Sequence, residues 1–236
     1  MQALLKVLEV LPWIDWAAVI VLFGGWLGYA SFARRHAFTR PSVLASSNRI
    51  RVQWMMQTTY REVRVVDGVV VQNLSTSPSF FASTTILIVG GLLAVLGTTD
   101  KANELVKEIP FAARTTVLVF DLKIVLLLAI FVYAFFRFTW SMRQYTFGAL
   151  LIAAAPEAKQ FAVPDGPSRE AFASKAGRVV SLAAETFNDG LRAYYFSFAV
   201  VGWFVSPIVF MLATLGVIYV LYHREFHSDV LAVLNG

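Results

Sequence analysis

Two charged residues interrupt an apolar run that ought to be free of charge. Asp121 and Lys123 lie within Val117–Phe136, and an ionised group at bilayer depth costs about 2.5–3.5 kcal/mol on insertion scales. Each therefore needs a partner, a wet cavity or a way back to water. With ~1.5 Å of rise per residue from Val117, Asp121 lies ~6 Å and Lys123 ~9 Å below the end of the run. Two positions along a helix amount to ~200° of rotation, so the two side chains face away from each other. Asp121 is near the helix start, where the macrodipole favours a carboxylate, and Arg114 is seven residues earlier on the same face. Lys123 has four routes: a backbone carbonyl, an acid on another helix such as Asp15, water in a cavity, or snorkelling outward. The chemistry on offer is a structural ion pair or a site for an ion or small solute.

Other polar groups could form further sites. Arg49, Arg51 and Trp54 precede a hydroxyl-rich stretch, Ser75, Thr76, Ser77, Ser79, Ser83, Thr84 and Thr85. Beside the arginines, Ser83 and Thr84 would make a polar vestibule for a solute; alternatively such hydroxyls bond their own helix or a neighbouring one. Asp189 and Arg192, three apart, form an ion pair on a helix or a ligand site. His223 and His227, four apart, would share a helix face with Glu225 and Asp229 nearby. That spacing can hold a metal but equally describes an exposed helix end, and no metal is assigned.

Enzyme signatures are missing. The chain has no cysteine, which excludes thiolate metal sites, iron–sulfur clusters, disulfides and cysteine nucleophiles. It has no zinc-protease His-Glu pair, nucleophile elbow or P-loop. We expect no catalytic residue and no cofactor.

The elements that must position these residues are membrane helices. Of 236 residues, 58% are hydrophobic and only 15% charged, with 20 phenylalanines; soluble domains average ~45–50% and ~25%. Four runs approach the ~20 apolar residues that cross a bilayer: about 13–33, 80–97, 117–136 and 193–222. They form a single four-span domain, with 34–79 and 137–192 between spans on one side. The first run is read as a retained span, because its flanking charges run opposite to those of a secretory signal.

Those two connecting segments carry fourteen Lys and Arg, against five beyond the other span ends. The positive-inside rule puts them in the cytoplasm of a cell (inner) membrane protein with both termini outside. The net charge of +5 thus reflects orientation, not nucleic-acid binding. Alternating stripes over Asn48–Val66, apolar at Val52, Met55, Met56, Val63 and Val66, predict an amphipathic helix. The third helix should run past Arg143 to about Pro156, and Ser168 should cap a helix after the turn Val163–Ser168. Asn188–Gly190 either breaks that helix or begins the fourth span, and Pro207 should kink that span. Gly24, Gly28, Gly90, Gly91 and Gly97 read as close helix contacts.

Several stretches resemble the domain of unknown function 599 family of bacterial and plant membrane proteins. They are Phe80–Leu96, Asn48–Met56 with its Asn, Arg and Trp-Met, the Leu122-Lys123 pair, and Gly190-Leu-Arg-Ala-Tyr-Tyr-Phe196. The resemblance implies this architecture and transfers no activity. Two functional expectations follow from the residues. One is a structural or accessory helical bundle that sits in the lipid bilayer as a homo-oligomer or docks onto a partner membrane complex. The other is an oligomeric channel or transporter using Asp121, Lys123 and the hydroxyl-rich entrance of span two.

Overall fold

The computed structural model describes residues 11–36, 40–108 and 115–235. Among these the protein is helical, without strands. The α-helices are α1 Trp13–His36, α2 Val43–Thr58, α3 Val65–Gly97, α4 Thr99–Glu108, α5 Val117–Ala153, α6 Arg169–Val201, α7 Pro207–Phe226 and α8 Asp229–Asn235, with short 3-10 turns at Gln160–Ala162 and Gly202–Phe204. Four stretches are long and apolar enough to cross a membrane: Trp13–His36, Val65–Gly97, Val117–Ala153 and Pro207–Asn235.

Local chemistry sets the boundaries. Ser42 caps α2 by accepting from the Ala45 N–H at 3.1 Å, so the helix starts at Val43 and not at Asn48. It ends at Thr58, before the segment Thr59–Arg64 that leads to α3. This corrects the amphipathic stripe expected to run to Val66: Met55 is buried, but Val63 and Val66 are exposed. The second span extends back through Pro78 to Val65, giving 33 residues, or ~50 Å. As expected, α5 continues past Arg143, and Ser168 Oγ accepts from the Ala171 N–H at 3.1 Å to cap α6. Helix α4 was not foreseen, because charges at half its positions hide it from a search for apolar runs.

The fourth span is corrected most. Helix α6 passes through Asn188–Gly190 unbroken. Residues 193–222 are two helices, separated by the 3-10 turn Gly202–Phe204. Ser206 then restarts the chain, its Oγ accepting from the Val209 N–H at 3.1 Å, and Pro207 occupies the first helical position, where a missing N–H costs nothing. The expected kink is a complete break.

The chain weaves through two compact units. The first comprises Met1–His36, Thr85–Tyr133 and Arg192–Arg224. Its core includes Leu22, Phe120, Ile124, Phe196, Val200 and Phe210, with Trp26 stacked on Phe196 at 5.2 Å. Ile20, Leu27, Leu87, Leu93 and Leu212 are more than half exposed, an apolar exterior suited to lipid. The second unit comprises Ala37–Thr84, Ala134–Leu191 and Glu225–Gly236. Met55, Val71, Tyr145, Ile152 and Val180 form its core with a row of alanines, Ala173, Ala176 and Ala183.

In the second unit, glycine permits two close approaches. A Cβ on Gly177 would lie 2.8 Å from Val52 Cα, and one on Gly190 would lie 2.5 Å from the Phe138 ring. By contrast, Cβ atoms on Gly24, Gly28, Gly90, Gly91 and Gly97 would meet nothing within 4 Å, so these glycines do not make the helix contacts expected of them.

The last described segment packs within the second unit. Helix α8 packs on α2, Glu225 Oε1 accepts from the Leu44 N–H at 2.9 Å, and the Ser46 hydroxyl donates to Asn235 Oδ1 at 2.9 Å. Glu225–Asn235 therefore belongs with the basic segments and not opposite them. The fourth stretch long and apolar enough to cross a membrane is Pro207–Asn235 and not 193–222.

Candidate functional site

The charge that drew notice in the sequence, Lys123, is buried at 2% exposure in the first unit. Its ammonium donates to the Trp203 carbonyl at 2.8 Å and lies 5.4 Å and 5.5 Å from the ring centroids of Trp203 and Phe204. The Trp203 indole N–H donates in turn to Asp15 Oδ1 at 2.5 Å, and Asp15 is buried near the start of α1. Three helices' worth of charge and dipole thus converge on the turn between α6 and α7. The 3-10 geometry explains why: a broken helix exposes carbonyls, and a buried ammonium satisfies one while the rings shield its charge. Two of the four routes open to Lys123 meet here, the carbonyl directly and Asp15 through Trp203. Asp121 is half-buried on another face of α5, and its Oδ1 is enclosed without a hydrogen-bond partner among the described residues, as is Trp16 Nε1.

The second unit holds a centre that sequence reasoning missed. Asp67, fully buried in the first turn of α3, accepts through Oδ1 from Trp54 Nε1 at 2.7 Å and Thr58 Oγ1 at 3.1 Å, and pairs with Arg61. The positive end of the helix dipole supports a carboxylate there. The one sequence signal was an acid in an N-terminal helical turn, too common to single out. Trp54 belongs to this centre and not to a vestibule.

Two further arginines tie backbone to backbone in this unit. Arg64 donates to the carbonyls of Thr58, Ala155 and Pro156 at 3.1, 2.8 and 2.5 Å. Arg169 donates to those of Thr59 and Ala158 at 2.5 and 3.1 Å, with its guanidinium 4.1 Å from the Tyr60 ring centroid. The basic segments are thus internally bonded as well as positively charged.

The remaining candidates do not gather into a vestibule. Arg49 is exposed. Arg51 donates to Asn48 Oδ1 at 2.7 Å, and Asn48 donates to Glu185, which also pairs with Arg178. Burial lowers the Arg51 guanidinium pKa, with Tyr145 and Glu185 opposing the shift. Ser83 points outward, while Thr84 donates to the Phe80 carbonyl of its own helix at 2.9 Å. Thr85, by contrast, meets the Tyr194 hydroxyl at 2.7 Å. Asp189 is held by Arg137 from α5, and Arg192 lies 5.7 Å from the Tyr29 ring centroid. No group of three or more metal-ligating side chains occurs among the described residues.

Helices that can cross a bilayer, an apolar exterior and a charge neutralised within it define a polytopic α-helical membrane protein. The chain belongs to the family described as "Protein of unknown function, DUF599", which matches residues 17–230. No curated protein and no solved structure matches it significantly.

Proposed function

We propose that the protein is a structural or accessory scaffold of the cell (inner) membrane and not an enzyme. It would carry a helical head of α2, α8 and the inner ends of α3, α5 and α6 on the cytoplasmic side. The buried Lys123 carries this reading. Its ammonium is engaged by the Trp203 carbonyl and two rings, and the nearest acid in its network is engaged by the Trp203 indole. A lysine serving transport must exchange partners with solute, whereas this one fastens two helices at their turn. Topology follows from the same basic segments: the head is inside, Glu225–Asn235 is inside with it, and the Trp13 end of α1 is outside.

Assembly with a second copy or a membrane partner is supported by α3, where Gly90, Gly91 and Gly97 are exposed and uncovered by any described residue. Such residues allow close helix association in lipid. The test is reconstitution. Liposomes bearing the wild type should show no more ion or solute flux than empty ones, and the protein in mild detergent should have a defined multimeric mass or retain a partner. Flux by the wild type that disappears in Lys123→Met would contradict the proposal. That outcome would favour an oligomeric channel or transporter, for which the enclosed Asp121 Oδ1 and Trp16 Nε1, without a hydrogen-bond partner among the described residues, are the supporting observation.

A further inference from the structure

An open groove of about 470 Å³ runs between α1 and α7 in the first unit, within the ~300–1,000 Å³ typical of ligand sites. Gly24, Gly28 and Phe32 line it from α1, and Leu215, Tyr219 and Tyr222 from α7. Its floor is the tight contact at Gly25, where a Cβ would lie 2.6 Å from Ile218 Cδ1. On either side of that contact, Gly24 and Gly28 leave open the space their side chains would fill.

The two helices run in parallel here, since Gly25 meets Ile218 and Phe32 lies 6.2 Å from Tyr222 by ring centroids. Both C-terminal ends therefore lie at the same end of the groove. From Gly24 to Phe32 is ~12 Å along the helix, which is less than one leaflet, half of a ~30 Å hydrocarbon core. Tyr219 and Tyr222 stand at the closing end, where amphipathic rings favour the headgroup level.

The same helical rotation continues the groove face of α1 past Phe32 onto Arg35 and His36, each ~50° from its centre, and puts Arg34 on the far side. Arg35 is exposed, and His36 stacks on Phe32 at 4.1 Å. An apolar channel shorter than one leaflet, with an exposed arginine on the continuation of its face, matches one kind of molecule already present at that depth. An acyl chain needs only this slot, and arginine binds phosphate through a planar fork.

We infer that the α1–α7 groove binds an anionic phospholipid, one acyl chain lying over Gly24 and Gly28 and the phosphate at Arg35 beside His36. This goes beyond the scaffold reading and stands independently of it.

Native mass spectrometry of the full chain in mild detergent, with added phosphatidylglycerol or phosphatidylcholine, tests the inference. The wild type should hold one phosphatidylglycerol in preference to phosphatidylcholine. Arg35→Gln should reduce that preference about fivefold, the effect of one basic side chain at a headgroup, while Arg34→Gln leaves it unchanged. Gly28→Leu, at a position where a Cβ meets nothing within 4 Å, puts a side chain into the groove and should abolish retention of both lipids. Gly24→Leu, on the same open face, replaces it if folded yield falls. Equal retention of the two lipids, a glycine variant that folds and keeps its lipid, or an equal effect of Arg34→Gln would each overturn the site. Displacement of the lipid by inorganic phosphate alone would show that the groove contributes nothing and would overturn it equally.

Discussion

A buried ion in a membrane protein is informative through what holds it. Lys123 is held by a carbonyl that the break after Gly202 leaves outside the helical ladder, Pro207 having no N–H to offer it, so removing the ammonium leaves that acceptor unpaired in an apolar surrounding. An unsatisfied buried acceptor costs about 1–3 kcal/mol, and Lys123→Met should destabilise the protein by that order despite being more apolar. Asp67 follows the same logic in the second unit. It collects Trp54, Thr58 and Arg61 on a single oxygen, so Asp67→Asn keeps the shape but weakens each charge-assisted bond. A loss of about 1–3 kcal/mol is expected, read as a lower melting temperature; an unchanged melt would mean that the cluster does not stabilise the head. Lys123 could be found in the sequence because a charge in an apolar run is conspicuous. Trp203 could not, because what recruits it is its backbone carbonyl, and no side-chain pattern marks that.

At the scale of elements, ends matter more than interiors. Ser168 caps α6 and also donates to Glu170 Oε2 at 2.9 Å. The Glu170 backbone N–H and then the Ser168 hydroxyl hold the Glu170 carboxyl below its ordinary pKa. Because the folded pKa is depressed, this contribution is present above the unfolded value of 4.5 and is lost as pH falls through the folded one. Ser168→Ala should therefore cost about 1 kcal/mol at neutral pH, and the gap from wild type should narrow on acidification below pH 4.5. A gap that widens in acid would contradict the cap. The helical spans and the Ser168 cap were legible because apolar runs and capping residues are local signals. The break at Gly202–Ser206 was only half legible: Pro207 announced a disturbance, but the surrounding apolar residues concealed that the chain turns back. The stripe through Val66 misled because Val63 and Val66 belong to the turn and to the next helix.

For the whole molecule, the turn between α6 and α7 bears on the proposed topology. The chain passes between its two units at residues 36/37, 84/85, 133/134, 191/192 and 224/225, an odd number of passages, so it ends in the unit where it did not begin. The packing of α8 on α2, with Glu225 bonded to Leu44, is what groups Glu225–Asn235 with a basic segment. A fluorescent protein fused after Asn235 should therefore fluoresce in the cytoplasm, and a phosphatase active only outside it should be silent there. An active phosphatase would refute the proposed topology. The scaffold reading makes a matching prediction for the open face of α3: Gly90→Ile with Gly91→Ile should lower the mass of the assembly in mild detergent while leaving the folded chain intact, since no described residue comes within 4 Å of a Cβ at either position. An unchanged mass would move the assembly surface elsewhere.

The central claim is that Lys123 and Asp15 serve one structural joint through Trp203, and a double-mutant cycle in thermal unfolding tests it most directly. Lys123→Met and Asp15→Asn should each lower the melting temperature. The double variant should lose less than the sum of the two, with a coupling of about 0.5–3 kcal/mol typical of residues in one network. Single variants that melt like the wild type, or losses that simply add, would contradict it.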